Sequence, residues 1–134
     1  MKLCSILEAH DPALIKMMTQ GLTHLKLTPQ EVKVKLRKHA ASQAKACFNN
    51  AFKALKHDSK YVLGYMFFHG IPIEHAWVKE GDTYYDVTLD PAKQESYVSL
   101  LELSHDEVFE YIEQHHSAPS LYDLNRFYGK RANK

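Results

Sequence analysis

Three runs rich in β-branched and aromatic residues follow one another between Tyr61 and Val87, separated only by short turns, and this succession constrains the fold most. Tyr61 to Phe68 is nearly apolar throughout, as a strand in the middle of a sheet is. His69-Gly70-Ile71-Pro72 turns the chain into a second run, Ile73 to Val78. Glu80-Gly81 then separates it from a third, Thr83 to Val87. Turns this short join antiparallel neighbours, since parallel strands need a long crossover.

The second turn sets a register. With Glu80 and Gly81 as the two loop residues, Lys79 faces Asp82. Counting outward pairs Val78 with Thr83, Trp77 with Tyr84, Ala76 with Tyr85 and His75 with Asp86. Directly paired residues share a face with Cβ atoms about 5 Å apart, which suits a carboxylate holding an imidazole. A three-residue loop would shift the pairing by one and place Val87 opposite His75.

A thiol precedes this pair. Phe48, Ala51, Phe52 and Leu55 repeat at helical spacing after Cys47, so an amphipathic helix ending around Lys56-His57-Asp58 is expected there. If it begins near Cys47, unpaired N–H groups and the dipole favour a thiolate, and Lys45 adds to that field. If it begins upstream near Ser42, His75 must supply most of the activation. Thiol, imidazole and carboxylate on successive elements are what nucleophilic catalysis with a base and an orienting group requires. Singly, Cys47 reads as a small buried hydrophobe and His75 as a structural imidazole beside Trp77. Their order and spacing make catalytic roles for Cys47, His75 and Asp86 the better reading.

Cys-helix, strand with Gly64-Tyr65, strand with His75-Ala76-Trp77-Val78, and strand with Tyr85-Asp86-Val87-Thr88 together resemble the transglutaminase-like branch of the papain-like cysteine superfamily. Small phage and bacterial proteins with a Cys-Asn-Ala…Gly-Tyr…His-Ala-Trp pattern are the nearer likeness. The resemblance covers roughly residues 42–92. It implies an α+β fold: N-terminal helices, the Cys-bearing helix packed on a small antiparallel sheet, and C-terminal helices. It also implies a cysteine hydrolase or acyltransferase working on amide or isopeptide bonds through a thioester. Gln43 is a candidate oxyanion-hole residue by the same likeness, beside the Cys47 backbone amide. Asn50, one turn past Cys47, and Trp77, under the imidazole strand, are neighbours of the site. Glu74 should face away from His75. Val87 stands where proline is usual, and the chain is short for a transglutaminase, so hydrolysis is expected over cross-linking. The rival from another class is a non-catalytic protein-binding module on the same fold.

A chain of 134 residues with 45% hydrophobic content supports one domain with a modest core. We expect a helical part over 1–41, the catalytic core over 42–92, and a strand with helices over 93–134. Asp11-Pro12 opens a helix through about Leu25, with Leu14, Ile15, Met18 and Leu22 as its apolar stripe. Thr28-Pro29-Gln30-Glu31 is a capping box that predicts a second helix from Pro29 to about His39. Val32, Val34 and Leu36 alternate with lysines there, which is the period of a strand, and the helix is preferred despite it. Tyr97 to Leu103 reads as a further strand. Ser104-His105-Asp106-Glu107 caps a helix with Val108, Phe109, Tyr111 and Ile112 inward. Ser120 caps a last helix through Phe127, and 129–134 is a frayed basic end.

With only Cys4 and Cys47 there is no disulfide framework, and a reducing cytoplasm is the simplest setting. No apolar run approaches the ~20 residues of a membrane span, and the start lacks a secretory h-region. Residues 1–60 hold 11 Lys/Arg against 4 Asp/Glu, and 61–134 hold 6 against 12. The two halves can neutralise each other across the fold, or the basic half can dock an acidic protein or peptide substrate. No nucleic-acid motif accompanies the lysines. Neither CxxC nor HExxH occurs, and the five glycines form no phosphate loop, so no metal or other cofactor is expected.

Overall fold

The computed structural model describes residues 12–37, 46–94 and 96–132. It is an α+β fold built on a six-stranded mixed sheet. In chain order the elements are α1 (Pro12–Met18), β1 (Gln30–Val32), β2 (Val34–Leu36), α2 (Cys47–Lys53), β3 (Lys60–Phe68), β4 (Ile71–Glu80), β5 (Thr83–Asp86), a 3₁₀ turn (Pro91–Lys93), β6 (Ser96–Ser104), α3 (His105–His115) and α4 (Leu121–Ala132). The strand order is β1-β6-β3-β4-β5-β2.

β3, β4 and β5 form the expected meander. The turn between β3 and β4 is His69-Gly70, with φ of 50° and 78°, as a two-residue turn with both residues left-handed requires. The next turn departs from expectation. Its loop residues are Gly81 and Asp82, so Glu80 pairs with Thr83, Lys79 with Tyr84 and Val78 with Tyr85. Gly81 takes the first loop position with φ of 59°, where a side chain would be strained. Glu80 stays in the strand and meets Arg37 Nη1 at 2.7 Å.

The segment expected to be a helix from Pro29 to His39 is instead extended over its described part. β1 pairs antiparallel with β6, and β2 pairs parallel with β5. The strand period won because Val32 and Val34 pack inward while Glu31, Lys33 and Lys35 face solvent. The unpaired edges of β5 and β6 supply hydrogen-bond partners that a local capping box cannot outweigh. Only Lys33 separates β1 from β2, yet they lie at opposite ends of the sheet, so the sheet must curl until its edges approach.

Curling divides the core in two. Inside it, Val62, Met66, Trp77, Tyr84 and Tyr97 cluster with Val32, Val34 and Leu89. On the other face, Tyr61, Leu63, Phe67, Ala76, Val78 and Val98 pack under the helices. Met18 of α1, Ala51 of α2, Val108 of α3 and Leu124 of α4 complete that larger cluster. Gly64 stands between the clusters, at a bulge in the pairing of β3 with β6. A Cβ there would lie 2.0 Å from the Val98 carbonyl oxygen and 2.9 Å from the Trp77 ring. Glycine is required at this position because backbone and indole both close over it.

Several helix bounds differ from expectation. α1 ends at Met18 rather than Leu25, where Thr19 Oγ1 donates to the Ile15 carbonyl at 2.9 Å and Gly21 turns left-handed. α2 stops at Lys53. α3 has its capping box, with Glu107 N–H to Ser104 Oγ at 3.1 Å and Ser104 N–H to Glu107 Oε1 at 2.9 Å, but Phe109 faces solvent. α4 runs on to Ala132 instead of fraying after Phe127, with Gly129 buried against His24. No helix among the described residues is long and apolar enough to cross a membrane.

Candidate active site

The site is assembled from α2, β4 and the end of β5. Cys47 is the first residue of α2, half-buried and free of any disulfide. The helix has only seven residues, so its dipole is weak. His75 lies in the middle of β4, and Asp86 closes β5; both are buried.

His75 and Asp86 meet although they are not directly paired. The observed register differs from the expected one by two residues, and side chains alternate with a period of two. An even displacement keeps every side chain on its face. Asp86 therefore reaches His75 on the diagonal, with Nε2 to Oδ2 at 2.8 Å.

Asp86 is held from all sides. Its Oδ2 also accepts the Tyr97 hydroxyl at 2.7 Å, and its Oδ1 accepts the backbone N–H groups of Thr88 and Leu89, each at 2.9 Å. Its carbonyl accepts the Arg37 N–H at 3.0 Å, just past the β2–β5 pairing. Burial acts to raise the carboxyl pKa, but the bonds and charge from His75, with Leu89 and Tyr97, hold it below the usual range. Burial likewise acts to lower the His75 pKa. Hydrogen bonding to Asp86 and to Cys47, with their charges, outweighs it and raises the imidazole to about 9. Since Nε2 is committed to Asp86, Nδ1 is the ring atom left to serve Cys47.

Trp77 is fully buried, its ring stacked near His75 with centroids 6.2 Å apart and edge-on to Tyr97 at 5.2 Å. It fixes the imidazole's surroundings and is not placed to stack on a substrate. Asn50 is also fully buried, with Nδ2 donating to Thr88 Oγ1 at 3.0 Å, so it ties α2 to the loop that holds Asp86. Glu74 points away from His75, and its Oε2 accepts the Leu121 N–H at 2.8 Å, anchoring α4. Gln43 and Cys4 lie outside the described residues.

The sequence does not reveal that Thr88 meets Asn50 or that Tyr97 meets Asp86. An aromatic on a strand reads as core, and only the fold reveals that the Tyr97 hydroxyl ends on Asp86. A cleft of about 550 Å³, bordered by Lys33, Val34, Gln94, Ser96 and Tyr97, opens beside β1 and β2, and Cys47, His75 and Asp86 do not line it. The cleft is therefore separate from the cluster of Cys47, His75 and Asp86.

No family model matches the chain, and neither a curated protein nor a solved structure matches it.

Proposed function

We propose that the protein is a thiol hydrolase or acyltransferase acting on an amide or isopeptide bond, with Cys47 as nucleophile, His75 as general base and acid, and Asp86 as the positioning residue. The observation that carries this reading is the buried His75–Asp86 pair at 2.8 Å, and the Cys47 thiol adds to the raising of the imidazole pKa. The order of Cys helix, His strand and Asp strand supports a papain/transglutaminase-like core for the site.

In this reading Cys47 Sγ attacks the substrate carbonyl and His75 Nδ1 takes the thiol proton. Asp86 holds Nε2–H and stabilises the imidazolium. The tetrahedral intermediate expels the amine, which takes the proton from His75, and a thioester on Cys47 remains. Water, deprotonated by His75, then attacks the thioester and releases the acid and the free thiol. An amine in place of water gives acyl transfer. The Cys47 N–H, in the first turn of α2 and without an intrahelical acceptor, is available to the oxyanion.

The test is alkylation of Cys47 by iodoacetamide as a function of pH, followed by mass spectrometry, in wild type and His75→Ala. Rapid labelling well below pH ~8 that is lost in the variant supports an imidazole-activated thiolate. Slow labelling in both, with only the ordinary thiol rise at alkaline pH, overturns it in favour of a protein-binding module.

A further inference from the structure

We propose that His57, His105 and Asp106 form a site for a borderline divalent transition-metal cation of the zinc type. One ligand atom from each lies within 4.8 Å of the others. His57 follows α2, and His105 and Asp106 open α3, so the cluster joins two elements far apart in sequence. This proposal does not depend on the function assigned to Cys47.

The central imidazole is held before any ion arrives. The His105 ring stacks on Phe52 with centroids 5.7 Å apart and on Phe109 at 6.0 Å, and the His57 ring lies 5.3 Å away. Packing of this kind fixes a ligand's direction, as a preorganised site requires. His105 Nδ1 is buried and has no hydrogen-bond partner among the described residues. It stands 3.5 Å from Asp106 Oδ1 without making a hydrogen bond. That separation is close to the roughly 3.4 Å edge of a tetrahedron whose metal–ligand bonds are about 2.1 Å. A buried nitrogen left unpaired costs stability unless something else satisfies it.

Ligand chemistry narrows the ion. Two imidazoles with one carboxylate suit zinc and its first-row neighbours, whereas calcium and magnesium prefer all-oxygen shells. His57 and Asp106 are exposed, so both side chains are free to close on an ion that His105 positions. Three protein ligands leave a position for water. Bound there, the ion would clamp the chain just past α2 to the first turn of α3.

The experiment is isothermal titration of the chelator-stripped full chain with zinc chloride near neutral pH, paired with thermal melting. Cys47→Ser is included because a thiol beside an imidazole also attracts zinc. We expect one saturable site in wild type and in Cys47→Ser, with a Tm rise of roughly 5–10 °C at about a hundredfold excess over Kd. His57→Ala, at an exposed position, should weaken binding roughly tenfold or more, and so should His105→Phe, which keeps the ring stack. Absence of a saturable site overturns the proposal. So does unchanged affinity in His57→Ala, or loss of binding in Cys47→Ser alone.

Discussion

Tyr97 and His75 share one oxygen: the Tyr97 hydroxyl and the His75 Nε2–H both donate to Asp86 Oδ2, at 2.7 and 2.8 Å. Burial first, and then the Asp86 charge and hydrogen bond, raise the Tyr97 pKa, so the phenol stays a donor at any physiological pH. Tyr97→Phe should therefore cost about 1.5–3 kcal/mol of stability, as loss of a hydrogen bond to a buried charge does. Acid unfolding should begin at higher pH, because Asp86 loses a contribution that lowers its pKa. Urea titrations at neutral and acidic pH check this; equal losses at both would show that Tyr97 acts through packing alone.

Asp86→Asn removes the largest of the contributions that raise His75, leaving burial to lower it. The His75 titration followed by NMR should fall well below its value of about 9. If the proposed chemistry holds, turnover on any substrate should drop by about 10²–10⁴-fold, through loss of the correct tautomer. An unmoved titration would mean that Asp86 does not set the imidazole's protonation.

The His75–Asp86 pair also makes stability depend on pH. A histidine raised from 6.5 to about 9 contributes stability that is full below about pH 6.5 and is lost as pH rises through 9. A carboxyl held below 3.8 contributes stability that is present above that value and lost as pH falls through its lowered folded pKa. Denaturation midpoints measured from acid to alkali should therefore decline at both ends. In His75→Gln the alkaline decline between about pH 6.5 and 9 should flatten; a decline identical to wild type would assign it to other groups.

Gly64→Ala should destabilise by at least about 1–3 kcal/mol, since the new Cβ meets the Val98 carbonyl and the Trp77 ring. Near-ultraviolet circular dichroism of Trp77, the chain's one tryptophan, would report the repacking directly. A wild-type melting curve and spectrum would mean that the bulge relaxes without cost.

Features set by neighbouring residues are legible in the sequence. Apolar continuity marked β3, the serine-to-glutamate spacing marked the start of α3, and the period of two placed His75 and Asp86 on one face even though the loop residues were displaced. What depends on distant partners was not legible. Residues 30–36 carry a helix-start signal beside a strand pattern, and the choice is made by Tyr84–Asp86 and Tyr97–Ser99, which lie about 50 to 70 positions away. The same distance hides the role of Tyr97: its hydroxyl finds Asp86 only after the sheet has curled.

That curl has a consequence for how the molecule meets its own copies. A sheet's outermost strands are templates on which another chain can add, and proteins blunt them with brevity and lysine. Here one seven-residue stretch, Gln30 to Leu36, supplies both borders of the sheet, three residues to each, with Lys33 at the crossing and Lys35 within β2. A single short seam thus guards both margins against runaway edge-to-edge assembly, and the piece that steadies the Asp86 backbone is the piece that keeps the sheet finite.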